Sequence, residues 1–241
     1  MLGFPSTTEV AKGGRIPKEA FYRNLALPAK VKESFVADVE GFRMANTVKA
    51  STANLAEGPN VKEIAVLRVG LKGDGVDPAV LDEIAKANPR KIVFSCVRPD
   101  GTTRLSVRVG GKIVSTSDWK PEGEWQLRLE GANLDEAWEA IQSQIAFGDT
   151  GGASTSVTER LARQAKAESL RAKIEVTDRK CRKEKQLAKK NRLFAELKGL
   201  KEELCALEQE GNTHGEDRHR HTRFDDRERN QVAGFVPPGC N

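Results

Sequence analysis

Histidine is missing from residues 1–213 of this 241-residue chain, and all three of its histidines, His214, His219 and His221, lie near the C-terminus. A folded region without histidine cannot supply a Ser/His/Asp triad, a Cys/His pair or a histidine-ligated metal, which removes most hydrolase mechanisms. Cysteine is almost as scarce. Cys96, Cys181, Cys205 and Cys240 stand far apart with no CxxC pair, so neither a zinc site nor a redox motif is expected. They read as reduced thiols of a cytoplasmic protein. Aromatic residues make up only 5% and hydrophobic residues 38%, low for a fully globular chain of this length. A compact first part with an elongated remainder fits that composition. No apolar run approaches the ~18 residues of a membrane-spanning helix. The N-terminus, MLGFPSTTEVAKGGR, lacks the continuous apolar stretch of a secretory signal, so no membrane partner is expected.

Charge, by contrast, is abundant and unevenly placed. Residues 1–150 hold 20 Lys+Arg and 20 Asp+Glu, and residues 211–241 hold five of each. Residues 151–210 hold 15 and 10, so the whole net charge of +5 belongs to one segment. Within it Arg179, Lys180, Arg182, Lys183, Lys185, Lys189, Lys190 and Arg192 face a single acid, Glu184. A local acidic partner is implied rather than a uniformly basic surface.

The hydrophobic pattern predicts an α+β domain over residues 1–150 with a mostly antiparallel sheet packed with helices. From Pro28, the residues Val31, Phe35, Val39, Phe42 and Ala45 recur every three or four positions, predicting an amphipathic helix that ends near Asn46. Val61 to Leu71 is β-rich and apolar on both faces, as in a central strand. Asp77-Pro78 is an N-cap followed by Pro at N1, opening a helix to about Ala87. A meander follows. Ile92, Phe94 and Cys96 lead to the turn Pro99-Asp100-Gly101, and Leu105, Val107 and Val109 alternate with Arg104, Ser106 and Arg108, predicting a strand with one wet face. Gly110-Gly111 suits a hairpin turn into Lys112–Ser115. Trp125, Leu127 and Leu129 alternate with polar residues, predicting a further strand. Asn133 with Glu136 forms a capping box for a helix carrying Leu134, Ala137, Trp138, Ile141 and Ile145.

Gly148 to Ser156 reads as a joint, and Ser156 with Glu159 as the cap of a basic helical, coiled-coil-like arm over 154–210. Leu193, Leu197, Leu200, Leu204 and Leu207 are spaced 4, 3, 4, 3, an a/d seam. Upstream, Ile174, Cys181, Ala188 and Ala195 keep a seven-residue step with mostly small side chains. Two good heptads fall short of the three to four a free coiled-coil dimer needs, so the seam is expected to pack on the chain itself or on a partner. Residues 211–241 are polar, charge-balanced and Gly/Pro-bearing, the composition of a disordered tail.

Each potential chemistry has a competing bland reading. His214, His219, His221 and Cys240 could ligate a metal, but they sit in a polar, low-complexity tail, and no metal or other cofactor is expected. Gly148–Ser156 lacks the Gly-Lys-Ser/Thr of a phosphate loop. Gly70 to Gly75 follows a strand and reads as a turn. Asp38, Glu40 and Lys72 are the nearest approach to a metal-dependent nuclease, but Gly70 stands where an acid two residues before the lysine is needed. The basic run before leucines looks like a basic zipper, yet the zipper is short and the Asn/Ala pattern of such readers is missing. Non-specific phosphate contact needs only positive charge. A solvated helix face or an acidic protein partner is the alternative.

Four stretches, IPKEAFYRNLAL (16–27), KESFVADVEGFRMANTVKASTANLAEG (32–58), VKEIAVLRVGLK (61–72) and KEKQLAKKNRLFAELKGLKEEL (183–204), resemble the uncharacterised prokaryotic family called domain of unknown function 4391. The likeness runs over roughly residues 1–207, with Phe35-Val-x-Asp-Val39 and Lys185-Gln186…Asn191 its most specific pieces. The resemblance implies an α/β domain with a C-terminal helical arm. It also implies an accessory role beside a helicase or DNA methyltransferase in restriction-like defence loci, and it supplies no catalytic residues. Met44, Gly70 and the tail beyond 210 depart from the family pattern. The expectation is a non-enzymatic accessory subunit of a bacterial DNA-processing or defence system whose arm contacts nucleic acid or protein. A metal-dependent nuclease with a degenerate site and a structural oligomerisation module are the alternatives.

Overall fold

The computed structural model describes residues 2–11, 14–17, 21, 27–151 and 155–229, with side chains as far as residue 209. The chain divides into two compact units, Met1–Thr158 and Glu159–Asn241. The first is an α+β unit built on a seven-stranded mixed sheet. Its strands are β1 (Arg15–Ile16), β2 (Val39–Val48), β3 (Ile64–Leu71), β4 (Lys91–Val97), β5 (Thr102–Val109), β6 (Lys112–Ser115) and β7 (Lys120–Pro121). They lie in the order β1-β2-β3-β4-β5-β6, with β7 also on β5. All neighbours are antiparallel except β3 and β4. That parallel pair requires a crossover, which helix α2 (Pro78–Ala87) provides.

Helix α1 (Ala29–Asp38) and α2 cover one face of the sheet. Phe35, Val39, Phe42, Leu67, Val69, Leu81, Ile84 and Phe94 form its core there, with Phe21, Phe35 and Phe42 in mutual ring contact. Asp77 caps α2 by accepting from Ala79 N at 2.9 Å, as its sequence predicts. Helix α3 (Leu134–Phe147) packs on β5 and β6 with Leu134 and Ile141 fully buried. Its N-cap is the expected Asn133, whose Oδ1 accepts from Glu136 N at 3.0 Å, but the box is displaced by one residue, because Glu136 accepts from Ala132 N at 2.7 Å instead of from Asn133 N. Gly148 ends it in the left-handed region. Gly110 and Gly111, both at positive φ, make the β5–β6 turn.

Three expectations are corrected. The helix read from Pro28 to Asn46 ends at Asp38, and residues 39–48 are strand β2. Register shifts between Val39 and Gly41 and between Met44 and Asn46 break the two-residue alternation. Burial therefore falls at Val39, Phe42, Asn46 and Val48, and its first steps of three and four imitate a helix before the two-residue step to Val48. The predicted strand at Trp125–Leu129 is extended but joins no ladder. Leu127 N donates to Leu2 O at 2.7 Å, and Arg128 N donates to Gln144 Oε1 at 2.8 Å, which uses its backbone donors elsewhere. The wet face of β5 is covered: Ser106 is buried, and Arg104 and Arg108 are half-buried. Trp119 lies over that face beneath the Arg98 guanidinium, 3.7 Å from the ring centre.

Arg108 also fastens β5 to α2. Its Nε donates to Asp82 at 2.7 Å, and Lys86 Nζ reaches the same carboxylate at 2.6 Å. Partial burial alone would raise the Asp82 pKa, but the bonds and charges of Lys86 and Arg108 outweigh it and hold the carboxyl below its ordinary 3.8. A depressed folded pKa stabilises the fold above the ordinary carboxylate range, and that contribution is lost as pH falls through the folded value. Asp82→Asn should cost about 1 kcal/mol near neutral pH, allowing for solvent screening. Urea denaturation of mutant and wild type should converge on acidification; a constant gap from neutral to acid pH would contradict the assignment.

Candidate nucleic-acid interface

The arm is a helical hairpin. Helix α4 runs Val157–Lys183 and helix α5 runs Leu187–Arg229, with Glu184-Lys185-Gln186 between them. Neither glycine nor proline marks this break. Glu184 Oε1 accepts from Gln186 N at 2.8 Å, and Lys190 N donates to Gln186 O at 2.9 Å to begin α5. The reversal lets two seams satisfy each other. On α4, Ala167, Leu170, Thr177 and Cys181 are buried and Ile174 is half-buried, again at heptad steps. On α5, Leu197 is 6% exposed, and Leu193, Leu200, Leu204 and Leu207 are half-buried. Lys166 pairs with Glu203 at 2.9 Å and Arg171 with Glu208 at 2.8 Å, bridging the helices along the seam. Near the turn, Cys181 Sγ donates to Lys190 O at 3.8 Å.

The continuous helix expected to Glu210 is thus corrected in two ways. It reverses at 184–186, and α5 continues to Arg229 through residues that composition assigned to a disordered tail. Charge-balanced Glu, Asp and Arg residues are compatible with helix, and Gly211 and Gly215 do not stop it. Residues 230–241 lie outside the described residues, as do the side chains of His214, His219 and His221. Ala188 and Ala195, read as upstream seam positions, are exposed because the chain turns back before them. Ile174 and Cys181 do belong to the seam.

The turn brings all eight basic residues together at one end of the hairpin, and all eight are exposed. Arg179 pairs with Glu175 at 2.6 Å and Arg182 with Asp178 at 2.7 Å. For Lys180, Lys183, Lys185, Lys189, Lys190 and Arg192, no carboxylate among the described residues lies within ion-pair distance. Arg179, Lys180, Arg182 and Lys183 sit at the C-terminus of α4, where the helix dipole favours cations. Lys189 and Lys190 lie in the first turn of α5, which holds no acid, so there the dipole disfavours them, and Arg192 follows in the next turn. Stability does not explain that second group. Leu187 and Phe194, 73% and 65% exposed, stand among the cations and were not singled out by sequence. Their signal was a large apolar residue off the seam within the basic run, Leu187, and another just beyond its end, Phe194.

The nuclease candidates do not form a site. Asp38 Oδ2 accepts from Asp77 N at 3.2 Å, and Lys72 Nζ donates to Val36 O at 2.8 Å, so both serve the α1–α2 corner. Glu40 lies beside Gly70 on the sheet. Among the described residues no group of three His, Cys, Asp or Glu could hold a metal ion. Cys96 is buried, which pushes its thiol up to about 12 and leaves it a poor nucleophile. No described helix is long and apolar enough to cross a membrane.

A family model described as "Domain of unknown function (DUF4391)" matches residues 2–204. No curated protein and no solved structure matches the chain.

Proposed function

We propose that this chain, which belongs to the family called domain of unknown function 4391, is a binding subunit that grips nucleic acid with the tip of its helical hairpin. The observation that carries this reading is the tip itself. Six exposed cations without an acidic partner among the described residues are gathered around one reversal of the chain, two of them placed against the helix dipole. Such an arrangement costs stability unless a polyanion neutralises it. Exposed Leu187 and Phe194 add apolar surface of the kind on which bases stack.

The mode is electrostatic and independent of sequence, since a helical hairpin of this charge carries no base-reading pattern. The first unit then presents the hairpin and docks a partner, in keeping with an accessory role in a DNA-processing or defence system. A helicase or methyltransferase is the partner class that the family resemblance implies. No catalytic step is assigned to the chain.

The test is retention of duplex and single-stranded DNA by the full chain across a salt series. The tip residues surround the turn, so about three or four phosphates can be met at once, giving a log–log salt slope of roughly −3 on duplex DNA. Absence of retention at low salt would reassign the tip to an acidic protein surface.

A further inference from the structure

The sheet face opposite α1 and α2 carries a row of three arginines that sequence leaves far apart. Arg15 on β1 is the cross-strand partner of Arg43 on β2, and Arg43 is the partner of Arg68 on β3. Neighbouring strands lie about 4.8 Å apart, so three guanidinium groups stand within reach of one small anion. Like charges directly opposite one another destabilise a sheet. Only Arg68 is neutralised, its Nη2 donating to Glu122 Oε2 at 3.1 Å and its Nε lying 3.0 Å from Oε1 without a hydrogen bond. No carboxylate among the described residues lies within ion-pair distance of Arg15 or Arg43.

A second unfavourable feature adjoins the first. Gly41 and Gly70 are themselves cross-strand partners, two residues along from the Arg43–Arg68 pair on the same face. Neither has a positive φ, so backbone conformation does not require glycine at either. A Cβ at Gly41 would meet nothing within 4 Å, and one at Gly70 would meet Glu40 Oε2 at 3.4 Å, ordinary contact. Glycine inside a strand weakens it and marks places where another molecule approaches closely. Here the paired absence of side chains opens a cleft of about 250 Å³ lined by Arg15, Glu40, Gly41, Arg43, Arg68 and Gly70.

We infer that this cleft binds a phosphomonoester, with the dianionic phosphate on the arginine row and the hydroxyl-bearing remainder over the Gly41–Gly70 floor beside Glu40. A phosphomonoester carries nearly two negative charges at neutral pH, which matches two unpaired guanidinium groups and a third already fixed by Glu122. Glu40 repels phosphate at its own end of the cleft and accepts from hydroxyl groups there. The cleft is below the usual volume of sites for drug-sized ligands, so it takes a phosphate and its adjoining sugar rather than a dinucleotide. That chemistry occurs in free sugar phosphates and at the 5′-phosphate of a nucleic-acid strand.

Titration calorimetry of the full chain with ribose 5-phosphate, and with a tetranucleotide carrying either a 5′-phosphate or a 5′-hydroxyl, tests the assignment and separates the two sources. Saturable binding of ribose 5-phosphate with a Kd of about 1 mM or tighter is expected for a small-metabolite site. For a strand-end site, at least about tenfold preference for the 5′-phosphorylated tetranucleotide over its 5′-hydroxyl counterpart is expected. Arg43→Ala should weaken whichever binding is found by about tenfold or more. Gly41→Val should weaken it as much while leaving the thermal midpoint equal or higher, because valine favours a strand and a Cβ there meets nothing within 4 Å. The inference is overturned if neither probe binds with phosphate preference, or if Gly41→Val folds and binds as the wild type does.

Discussion

Leu197→Asp combined with Leu204→Asp should melt the hairpin without changing the mass of the particle. Leu197 is 6% exposed and Leu204 half-buried, both on the α5 stripe that meets the buried residues of α4. Removing a buried leucine side chain costs about 2–5 kcal/mol, and placing a carboxylate in the gap adds desolvation. Little else holds these helices together. The α4 side of the seam is small, with Ala167, Thr177 and Cys181 among its positions, and the inter-helix ion pairs Lys166–Glu203 and Arg171–Glu208 are solvent-exposed, worth at most about 1 kcal/mol each. Helices of such polarity draw their stability from tertiary packing rather than propensity. Since α4 and α5 span 27 and 43 residues against 10, 10 and 14 for α1, α2 and α3, ellipticity at 222 nm should drop by about two thirds. Lys201→Asp, at an exposed position of α5 off the seam, is the control and should keep its helicity. Unchanged helicity in the double mutant would show that the stripe is not packed.

The leucine seam was legible in the sequence because its spacing is local, but its partner was not. Glu184-Lys185-Gln186 contains no helix breaker, and the matching stripe on α4 is built from Ala, Thr and Cys, whose hydrophobic signal is weak. Only closing the chain on itself pairs the two. A different cause hid β2. Its two bulges placed the first buried residues at Val39, Phe42 and Asn46, and a period count over them cannot distinguish that from a helix. Caps and turns, by contrast, were read correctly at Asp77-Pro78, Asn133 and Gly110-Gly111, since each is specified by neighbouring residues. The basic residues of the tip were visible as composition, though their gathering at a turn was not. The arginine row is the extreme case. Arg15, Arg43 and Arg68 are more than twenty residues apart from one to the next, and only strand register places them side by side.

Changing Lys183, Lys185, Lys189 and Lys190 together to Glu should abolish retention of DNA while leaving helicity intact. The segment from Arg179 to Arg192 holds eight cations and one acid, a net charge of +7; four reversals each remove two units and leave −1. Counterion release scales with the number of phosphates neutralised, so a tip with no net positive charge has no driving force for non-specific binding. The fold has reason to tolerate the change. Lys189→Glu and Lys190→Glu place acids at the start of α5, where the helix dipole favours them, while Lys183→Glu acts unfavourably at the end of α4, each by about 0.3–1 kcal/mol. Lys185 lies between the helices, and none of the four has an ion pair to lose among the described residues. Circular dichroism should therefore match the wild type while the gel shift disappears. The converse quadruple change to Arg, which keeps the charge, should preserve binding and the salt slope of roughly −3. Retention of DNA by the Glu variant at wild-type strength would move the contact away from the tip. Loss of binding in both variants would show that the lysines act through shape rather than charge.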